Sequence, residues 1–367
     1  MNQGFRAMDR WGVFDATRNI LKNSAMRIKL LLIVGSIGLL ACCHEKDKYP
    51  QGTFPATITN FSEVNSEYDD YNSDIPLISV GLKLHFSSNR NSAGENFDVV
   101  GDALGILWTT DNGTLSIHAT SLDDDDDFTP ELLSSINTPC NEMGPYSFQY
   151  NAGGKYRYVL MYASDCDSNF DISYAHYEKP FGTDGSPVLY PPKKIEFLNS
   201  SSDDMYPTFY GENFIYHGEI APETIEKLLF CSNRDGQFDI YEIGLREDTD
   251  LVDLLGSDIG KQPDKLAISS ESNDKCPFVS GKLLVFTSDR PGGFGGYDLY
   301  YCLRTDNGWS EPTNFGADVN SAYDDYRPVV LNYPGFFNNS LLLFSSNRPG
   351  GKGGFDLYYI GTDVADH

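Results

Sequence analysis

A recurring strand–turn–strand segment constrains the fold more than any other feature of this sequence. In its clearest copy a buried strand ends at Ser346-Asn-Arg348, a glycine-rich turn follows, and a second strand begins at Asp356. The other copies end their first strand at Ser88-Asn-Arg90, Ser164-Asp-Cys166, Ser232-Asn-Arg234 and Ser288-Asp-Arg290. The serines that open these five tripeptides are 76, 68, 56 and 58 residues apart. Repeats of this length indicate a supersecondary unit that cannot bury its faces alone.

Each repeat contains more than this hairpin. A short segment carrying Pro76, Pro207, Pro277 or Pro328 comes first, followed by a brief strand and a turn such as Ser280-Gly-Lys282. This gives four strands per repeat, which is the unit of a β-propeller. Aromatic residues make up 13% of the chain, and long apolar stripes of helical period are missing after residue 50. The pattern therefore predicts an all-β protein with little helix.

The two ends of the chain predict how the propeller closes. The last repeat lacks its outermost strand, because the chain ends soon after Tyr359. Near the front, Thr57–Ser66 has no hairpin before it and matches Pro312–Ser321, which leads into the last repeat. We predict that residues 55–62 pair with the hairpin at 340–360, since closure removes the free sheet edges. The prediction is a five-bladed β-propeller over residues 55–367, with four-stranded antiparallel blades and a ring closed by the N-terminal strand.

The repeat resembles a known family. Phe344-Ser-Ser-Asn-Arg-Pro-Gly-Gly351 and Asp356-Leu-Tyr-Tyr359 are similar to the WD40-like PD40 repeats of TolB-type propellers. Such propellers are frequent in envelope proteins of Bacteroidetes. The resemblance implies a binding protein of the cell envelope, with an envelope protein or a glycan as its partner.

The N-terminal region resembles a bacterial lipoprotein signal. The basic segment Met26-Arg-Ile-Lys29 precedes the apolar run Leu30–Ala41, which is short for a membrane span and stops at Cys42. We interpret residues 1–41 as a leader whose true start is Met1 or Met26, Cys42 as the lipidated residue, and residues 42–54 as a tether. This implies an outer-membrane lipoprotein, on the periplasmic side or the cell surface, that meets the membrane only through its lipid.

The charge of the chain bounds its partners. The formal net charge is -26, and binding to nucleic acid depends on Lys and Arg that neutralise phosphates. We therefore expect no nucleic-acid partner.

Paired acids precede the innermost strand of most repeats. The pairs are Asp69 and Asp70, Asp203 and Asp204, and Asp324 and Asp325, with Asn273 and Asp274 as a partial copy. One interpretation is a polar-ligand or cation face, since calcium prefers carboxylate oxygens. The other is structural, with each pair bound to an arginine of the Ser-Asn-Arg type, namely Arg90, Arg234, Arg290 or Arg348. The second repeat lacks both the acid pair and the arginine, which favours the structural interpretation.

Cysteines take these two places in the second repeat. Cys140 and Cys166 lie where the other repeats carry the acid pair and the arginine. We predict that they form a disulfide, which an oxidising envelope permits. The absence of a C-x-x-C motif argues against a cysteine zinc site, and we assign no metal.

The same repetition guides the prediction of function. An acid and a base need environments that separate their pKa values, whereas these acids recur with the repeat. We therefore assign no catalytic residue and predict a non-catalytic binding or scaffold propeller. The alternative is a glycan-active, glycosidase-like enzyme, which requires two carboxyl groups in one pocket.

Overall fold

A computed structural model describes residues 48–78, 81–122, 128–180, 186–214, 216, 220–245, 250–333 and 335–364. They form five antiparallel sheets arranged as the predicted five-bladed propeller, and the polypeptide passes through the blades in sequence order. The leader, Cys42 and the first part of the predicted tether lie outside the described residues. No described helix is both long enough and apolar enough to cross a membrane.

Each blade has three consecutive strands from the centre outward and a fourth, outer strand. Blade 1 contains β2 (Asp70–Asp74), β4 (Gly81–Ser88), β5 (Asp98–Thr109) and β6 (Thr114–Ser121), with β3 (Leu77–Ile78) beside β4. Blade 2 contains β7 (Glu142–Ala152), β8 (Lys155–Ser164), β9 (Asp171–Pro180) and β10 (Val188–Lys194). Blade 3 contains β11 (Asp204–Tyr210), β12 (Lys227–Ser232), β13 (Asp239–Gly244) and β14 (Asp264–Lys265).

Blades 4 and 5 complete the ring. Blade 4 contains β15 (Asp274–Ser280), β16 (Leu283–Ser288), β17 (Asp298–Thr305) and β18 (Gly308–Trp309), and β19 (Thr313–Asn314) also pairs with β17. Blade 5 contains β20 (Asp325–Leu331), β21 (Ser340–Ser346), β22 (Asp356–Thr362) and β1 (Thr59–Asn60). The helices are short: α1 (Thr129–Ile136), α2 (Leu251–Leu255) and 3₁₀ turns at Arg90–Ser92 and Pro222–Thr224.

The N-terminal strand closes the ring as predicted. Thr59 and Asn60 of β1 pair antiparallel with Tyr359 and Tyr358 of β22. The backbone nitrogen of Phe61 donates to the carbonyl of Leu357, which continues this pairing by one residue. Blade 5 therefore takes its outermost strand from the other end of the chain, and no blade is left with an unfinished edge.

The body of the protein begins before residue 55. Gly52 forms a bridge to Phe337, and Phe54 is buried and stacks on the same ring with 4.1 Å between centroids. The described end of the predicted tether, Lys48–Phe54, thus lies against the propeller.

Every innermost strand contains an irregularity at the same place. Two residues after the first residue of the strand, the backbone takes a positive φ and the pairing register shifts. The five residues are Asn72, Gly144, Tyr206, Cys276 and Arg327. Such bulges re-aim side chains, and four of these five are not glycine, so the surrounding structure must hold a conformation that costs free energy. The neighbouring side chains fill the centre of the ring with an apolar cluster that includes Met143, Met205, Tyr206, Cys276 and Tyr326.

Candidate functional site

The acid pairs and the arginines lie together on one face of the propeller, here called the acid face. The connections before each first strand and after each second strand reach this side, because consecutive strands run antiparallel. The turns after the first and third strands reach the other side, here called the opposite face. The acids and arginines that the sequence analysis selected therefore lie in neighbouring loops of the same face.

The second acid of each pair binds the arginine of its own blade. Asp70 lies 2.6 Å from Arg90, Asp204 2.6 Å from Arg234, and Asp274 2.6 Å from Arg290. Asp325 forms the same ion pair with Arg348. All four carboxylates are fully buried, and each arginine also packs over a phenylalanine of the second strand, with the guanidinium carbon 5.0 to 5.2 Å from the ring centroid. A buried carboxylate needs such a partner, because an unpaired charge there is very costly.

The first member of each pair joins its blade to the preceding blade. The side-chain oxygen of Asp203 accepts a hydrogen bond from the backbone of Phe170, and the backbone nitrogen of Asp204 donates to the Phe170 carbonyl. The same clasp occurs at all five junctions. Its side-chain acceptors are Asp69, Asn141, Asp203, Asn273 and Asp324, and the aromatic residues they bind are Phe355, Phe97, Phe170, Phe238 and Tyr297.

These contacts account for the acids that the sequence analysis singled out. Their oxygens accept from arginines, backbone nitrogens and serines, so they are used within the fold rather than presented to a ligand. Across the described part of the chain, no three His, Cys, Asp or Glu side chains are grouped in a way that would hold a metal ion. The contacts thus match the structural interpretation of the acid pairs and give no support to a calcium site.

The second blade carries a disulfide at the equivalent place. Cys140 and Cys166 are bonded, with 5.3 Å between their α-carbons. Glu142 replaces the buried aspartate and accepts from the backbone and hydroxyl of Thr138. Burial raises the pKa of the Glu142 carboxyl, against these hydrogen bonds. The covalent link thus joins the two loops that an ion pair joins in the other four blades.

The centre of the ring holds a buried cluster of polar side chains around Asp74 and Arg327, which the sequence analysis missed. Asp74 accepts from the backbone and hydroxyl of Ser147 and from the phenol of Tyr216. Burial raises the pKa of Asp74 to about 6, although these hydrogen bonds and Arg327 act in the opposite direction. Arg327 is fully buried and donates to the carbonyls of Pro145 and Pro277. Because Asp74 has no exposure to solvent, this centre is a buried polar core rather than an open active site.

An open, polar groove lies instead on the opposite face, between blades 3 and 4. It consists of two adjoining cavities of about 310 and 540 Å³ that share Arg304 and Asp306. Cavities in this size range are typical of small-molecule sites. Its aromatic walls are Tyr210 and Trp309, and the guanidinium of Arg304 lies over both rings, 5.3 and 5.6 Å from their centroids.

Several carboxylates line this groove. Glu212, Glu226 and Asp306 are exposed at one end, and Glu242 lies at the other end in an ion pair of 2.6 Å with Lys227. The backbone nitrogen of Glu212 donates to Oε1 of Glu226 over 3.0 Å, which places the two glutamates side by side. They stand on one wall, and the wall across from them is formed by blade 4 residues such as Lys282 and Arg304.

The glutamates come from a loop that is not repeated. The connection between the first two strands spans only two residues in blades 2 and 4, whereas in blade 3 it runs over residues 211–226. Gly211 begins it, and a β-carbon there would lie 1.8 Å from the carbonyl oxygen of Thr224, so only glycine permits this approach. The sequence analysis missed this groove, and the length of the loop is the signal in the sequence that could have pointed to it.

A smaller polar cleft of about 380 Å³ lies between blade 2 and helix α2. His176 is buried there, stacked on Tyr190 with 4.4 Å between centroids, and its Nδ1 has no hydrogen-bond partner. Burial lowers the pKa of His176 to about 4, so the ring is neutral at pH 7. The Glu178 carboxylate accepts from Lys155 and Arg157, so both of its oxygens already have a charged partner within the protein.

Comparison with known proteins identifies the fold but no family. The chain matches no protein-family model and no curated protein sequence. Among solved structures it is similar to a thermostable family-43 glycoside hydrolase, with a TM-score of 0.50 and 13% identity over 81% of this chain and 91% of that one. It is also similar to an endo-arabinase from Bacteroides thetaiotaomicron, with a TM-score of 0.49 and 14% identity over 86% of this chain and 99% of that one. An alpha-L-arabinofuranosidase from Podospora anserina has a TM-score of 0.42 and 10% identity, over 86% of this chain and 98% of that one.

The comparison bears on two predictions. The family-43 enzyme is a glycoside hydrolase and not a WD40-like or TolB-type propeller, so the predicted resemblance is confirmed only in its coarser part, a five-bladed β-propeller. The prediction of a non-catalytic scaffold was wrong in its premise, because a fold built from five similar blades does accommodate glycoside hydrolases. The alternative of a glycan-active propeller is the one that this finding favours. The repetition of the acid pairs argues against a catalytic role for those acids, but it does not argue against a catalytic site elsewhere in the protein.

Proposed function

We propose that this protein is a glycan-active β-propeller enzyme that hydrolyses a glycosidic bond in the groove between blades 3 and 4. The observation that carries the proposal is the non-repeated loop of blade 3, which adds Glu212 and Glu226 to a groove with aromatic walls. Both features differ from the five-fold contacts of the acid face. The similarity to a family-43 glycoside hydrolase supports the choice of reaction class.

The residues of the groove suit a saccharide chain. Trp309 is part-exposed and supplies aromatic surface against which the apolar face of a sugar ring packs, while Tyr210 is buried under Arg304 and supports this wall. The charged side chains offer hydrogen-bond partners to the sugar hydroxyl groups. Two adjoining cavities give the groove length, which fits several linked sugar units better than one small molecule.

Glu212 and Glu226 are the proposed catalytic residues. Glycoside hydrolysis needs one carboxylic acid to protonate the leaving oxygen and one carboxylate to activate water or attack the sugar carbon. In the inverting route the second carboxylate takes the proton of the attacking water, and proton exchange with solvent resets both groups. In the retaining route the carboxylate left by the acid takes the proton of the water that hydrolyses the glycosyl-enzyme bond, which restores the acid and frees the second carboxylate. The two glutamates stand side by side at the open end of the groove, where water and a polymer both have access.

Two further predictions from the sequence remain proposals. The Ser-Asn-Arg-Pro-Gly-Gly segments support kinship with PD40-type repeats, and the sequence around Cys42 supports a lipoprotein of the outer membrane. A lipid-held hydrolase at that position would meet extracellular or periplasmic polysaccharide directly.

The test is hydrolysis by the purified protein, measured as release of reducing ends from a panel of neutral and acidic polysaccharides. We expect Glu212→Gln and Glu226→Gln each to lower the rate by about 10²-fold or more, as loss of a general acid or base does. Circular dichroism and thermal unfolding should match those of the unsubstituted protein, because both side chains are exposed.

The matched control is Glu223→Gln. Glu223 belongs to the same loop and is exposed, but it does not line the groove, so its substitution should leave the rate unchanged. If no polysaccharide is cleaved, or if all three variants retain the full rate, the proposed function is wrong. An equal loss in all three would assign the effect to the loop rather than to the two carboxyl groups.

A further inference from the structure

An exposed apolar patch surrounds the point where the described chain enters the propeller. It lies on the opposite face at the junction of blades 1 and 5, and we call it the seam patch. Its members are Tyr49, Ile106, Trp108, Tyr333, Phe336 and Phe337. Phe336 is 75% exposed and Tyr49 is 37% exposed, which is unusual for aromatic residues that have an apolar cavity of about 230 Å³ beside them.

The N-terminal segment holds this patch together. The backbone nitrogen of Tyr49 donates to Thr110 of blade 1, and the indole nitrogen of Trp108 donates to the carbonyl of Tyr49. Three residues later, Gly52 donates to the carbonyl of Phe336 in blade 5. The segment is therefore hydrogen-bonded to blades on both sides of the junction.

The sequence says what lies at the other end of that chain. Cys42, the residue with the lipoprotein signal, precedes Lys48 by six residues, which span at most about 22 Å when extended. A lipid on Cys42 would thus keep the seam patch within about 22 Å of the bilayer surface. The side chains suit this place, because Trp and Tyr prefer the membrane–water interface, and the Lys48 nitrogen lies over the Tyr49 ring at 5.1 Å.

We propose that the seam patch is a membrane-docking surface, and that its occupant is the interfacial region of the bilayer to which Cys42 is anchored. The lipid keeps the protein at the bilayer, and the patch fixes which part of the propeller meets it. Docking at this edge orients the propeller, and the groove between blades 3 and 4 lies across the ring on the same face, away from the blade junction that touches the membrane. The proposal rests on the predicted anchor and not on the proposed hydrolase activity.

Tryptophan fluorescence tests this proposal directly. The chain has three tryptophans, so Trp11→Phe and Trp309→Phe leave Trp108 as the only reporter. The protein purified from bacterial membranes is reconstituted into vesicles of phosphatidylethanolamine and phosphatidylglycerol, with plain or brominated acyl chains. We expect brominated lipid to lower Trp108 emission about two-fold, since an interfacial indole lies within reach of the bromines. Phe336→Asp should remove most of this quenching.

The matched control is Phe294→Asp in the same background. Phe294 is 49% exposed but belongs to the glycine-rich turn of blade 4 on the acid face, so its substitution should leave the quenching unchanged. Equal Trp108 emission in plain and brominated vesicles overturns the proposal, as does equal loss in both Asp variants. If mass spectrometry finds no acyl group on Cys42, the quenching is measured with excess vesicles, and its absence there also overturns it.

Discussion

Four arginines in this protein have the same surroundings, and those surroundings explain why the residue type recurs. Besides the buried aspartate, each guanidinium reaches a serine of its own strand and a backbone carbonyl of the loop that leads into the blade. A guanidinium has five donors in a planar fork, so it satisfies three separate acceptors that a lysine would not. The Ser-Asn-Arg pattern is therefore a folding signal.

Removing one of these arginines should be costly. We expect Arg290→Leu to lower the free energy of unfolding by about 3 kcal/mol, because Asp274 stays buried without its partner. Asp167→Asn is the comparison, since it removes the exposed end of an ion pair with Lys194 and should cost about 0.5 kcal/mol or less. Urea denaturation followed by fluorescence measures both. Equal effects would show that burial does not decide the value of the pair.

At the scale of elements, blade 2 shows that two different interactions serve one junction. Its loops lack the buried aspartate and the arginine, and the Cys140–Cys166 bond joins them instead. The backbone clasp to the neighbouring blade persists there through Asn141 and Glu142. The clasp is thus the general device of the fold, and the link within the blade is exchangeable.

The disulfide should contribute measurable stability. It encloses 26 residues, and for a loop of this length the chain-entropy relation predicts about 3.5 kcal/mol. We expect Cys140→Ala with Cys166→Ala to lower the free energy of unfolding by about that amount. Mild reductant should destabilise the unsubstituted protein to a similar extent and leave the double variant unaffected, because the other described cysteines are buried and free. No effect of reductant on the unsubstituted protein would contradict the prediction.

The connections between strands are where the blades differ. Blade 3 is distinguished by the long first connection and by helix α2, and blade 2 by helix α1 before it and by the length of its strands. Loops tolerate such variation because their backbone lies at the surface, and functional residues are found on them disproportionately. The groove and the smaller cleft both adjoin blade 3 for this reason.

At the scale of the whole molecule, an amide clamp recurs around the ring. The side chain of Asn65 both donates to and accepts from the backbone of Leu357 in blade 5. Asn137, Asn199 and Asn320 make the same pair of bonds to Val99, Ile172 and Leu299, and Ser269 bonds Ile240 in their place. Asn65 differs only in its role, since its clamp joins the two ends of the chain.

Loss of that clamp should loosen the closure of the ring. We expect Asn65→Ala to cost about 2 kcal/mol and to raise hydrogen exchange in residues 355–361, because the Leu357 backbone nitrogen loses its acceptor and its carbonyl keeps only the bond from Phe61. Asn199→Ala removes the equivalent clamp between residues that are close in the sequence, and it should raise hydrogen exchange near Ile172 instead. Unchanged protection of Leu357 in the Asn65 variant would show that strand pairing alone closes the ring.

Much of the architecture was accessible from the sequence because it is repeated. Five copies of a strand–turn–strand segment and a matching N-terminal segment predicted the number of blades and the pairing of β1 with β22. The arginine–aspartate partners followed from their joint absence in the second repeat. In contrast, the partners of Asp74 come from three different blades, and no spacing in the sequence relates them.

The sequence by itself determined the fold, since each repeat specifies the same local strands, turns and contacts to its neighbour. Only the tertiary structure decided where a function can reside. Glu212 and Glu226 face a wall contributed by a different blade, and Gly52 bonds to Phe336 from nearly the other end of the chain. Such sites arise from the packing of unlike loops at a blade junction, and pairs brought together in that way leave no periodic pattern in the sequence.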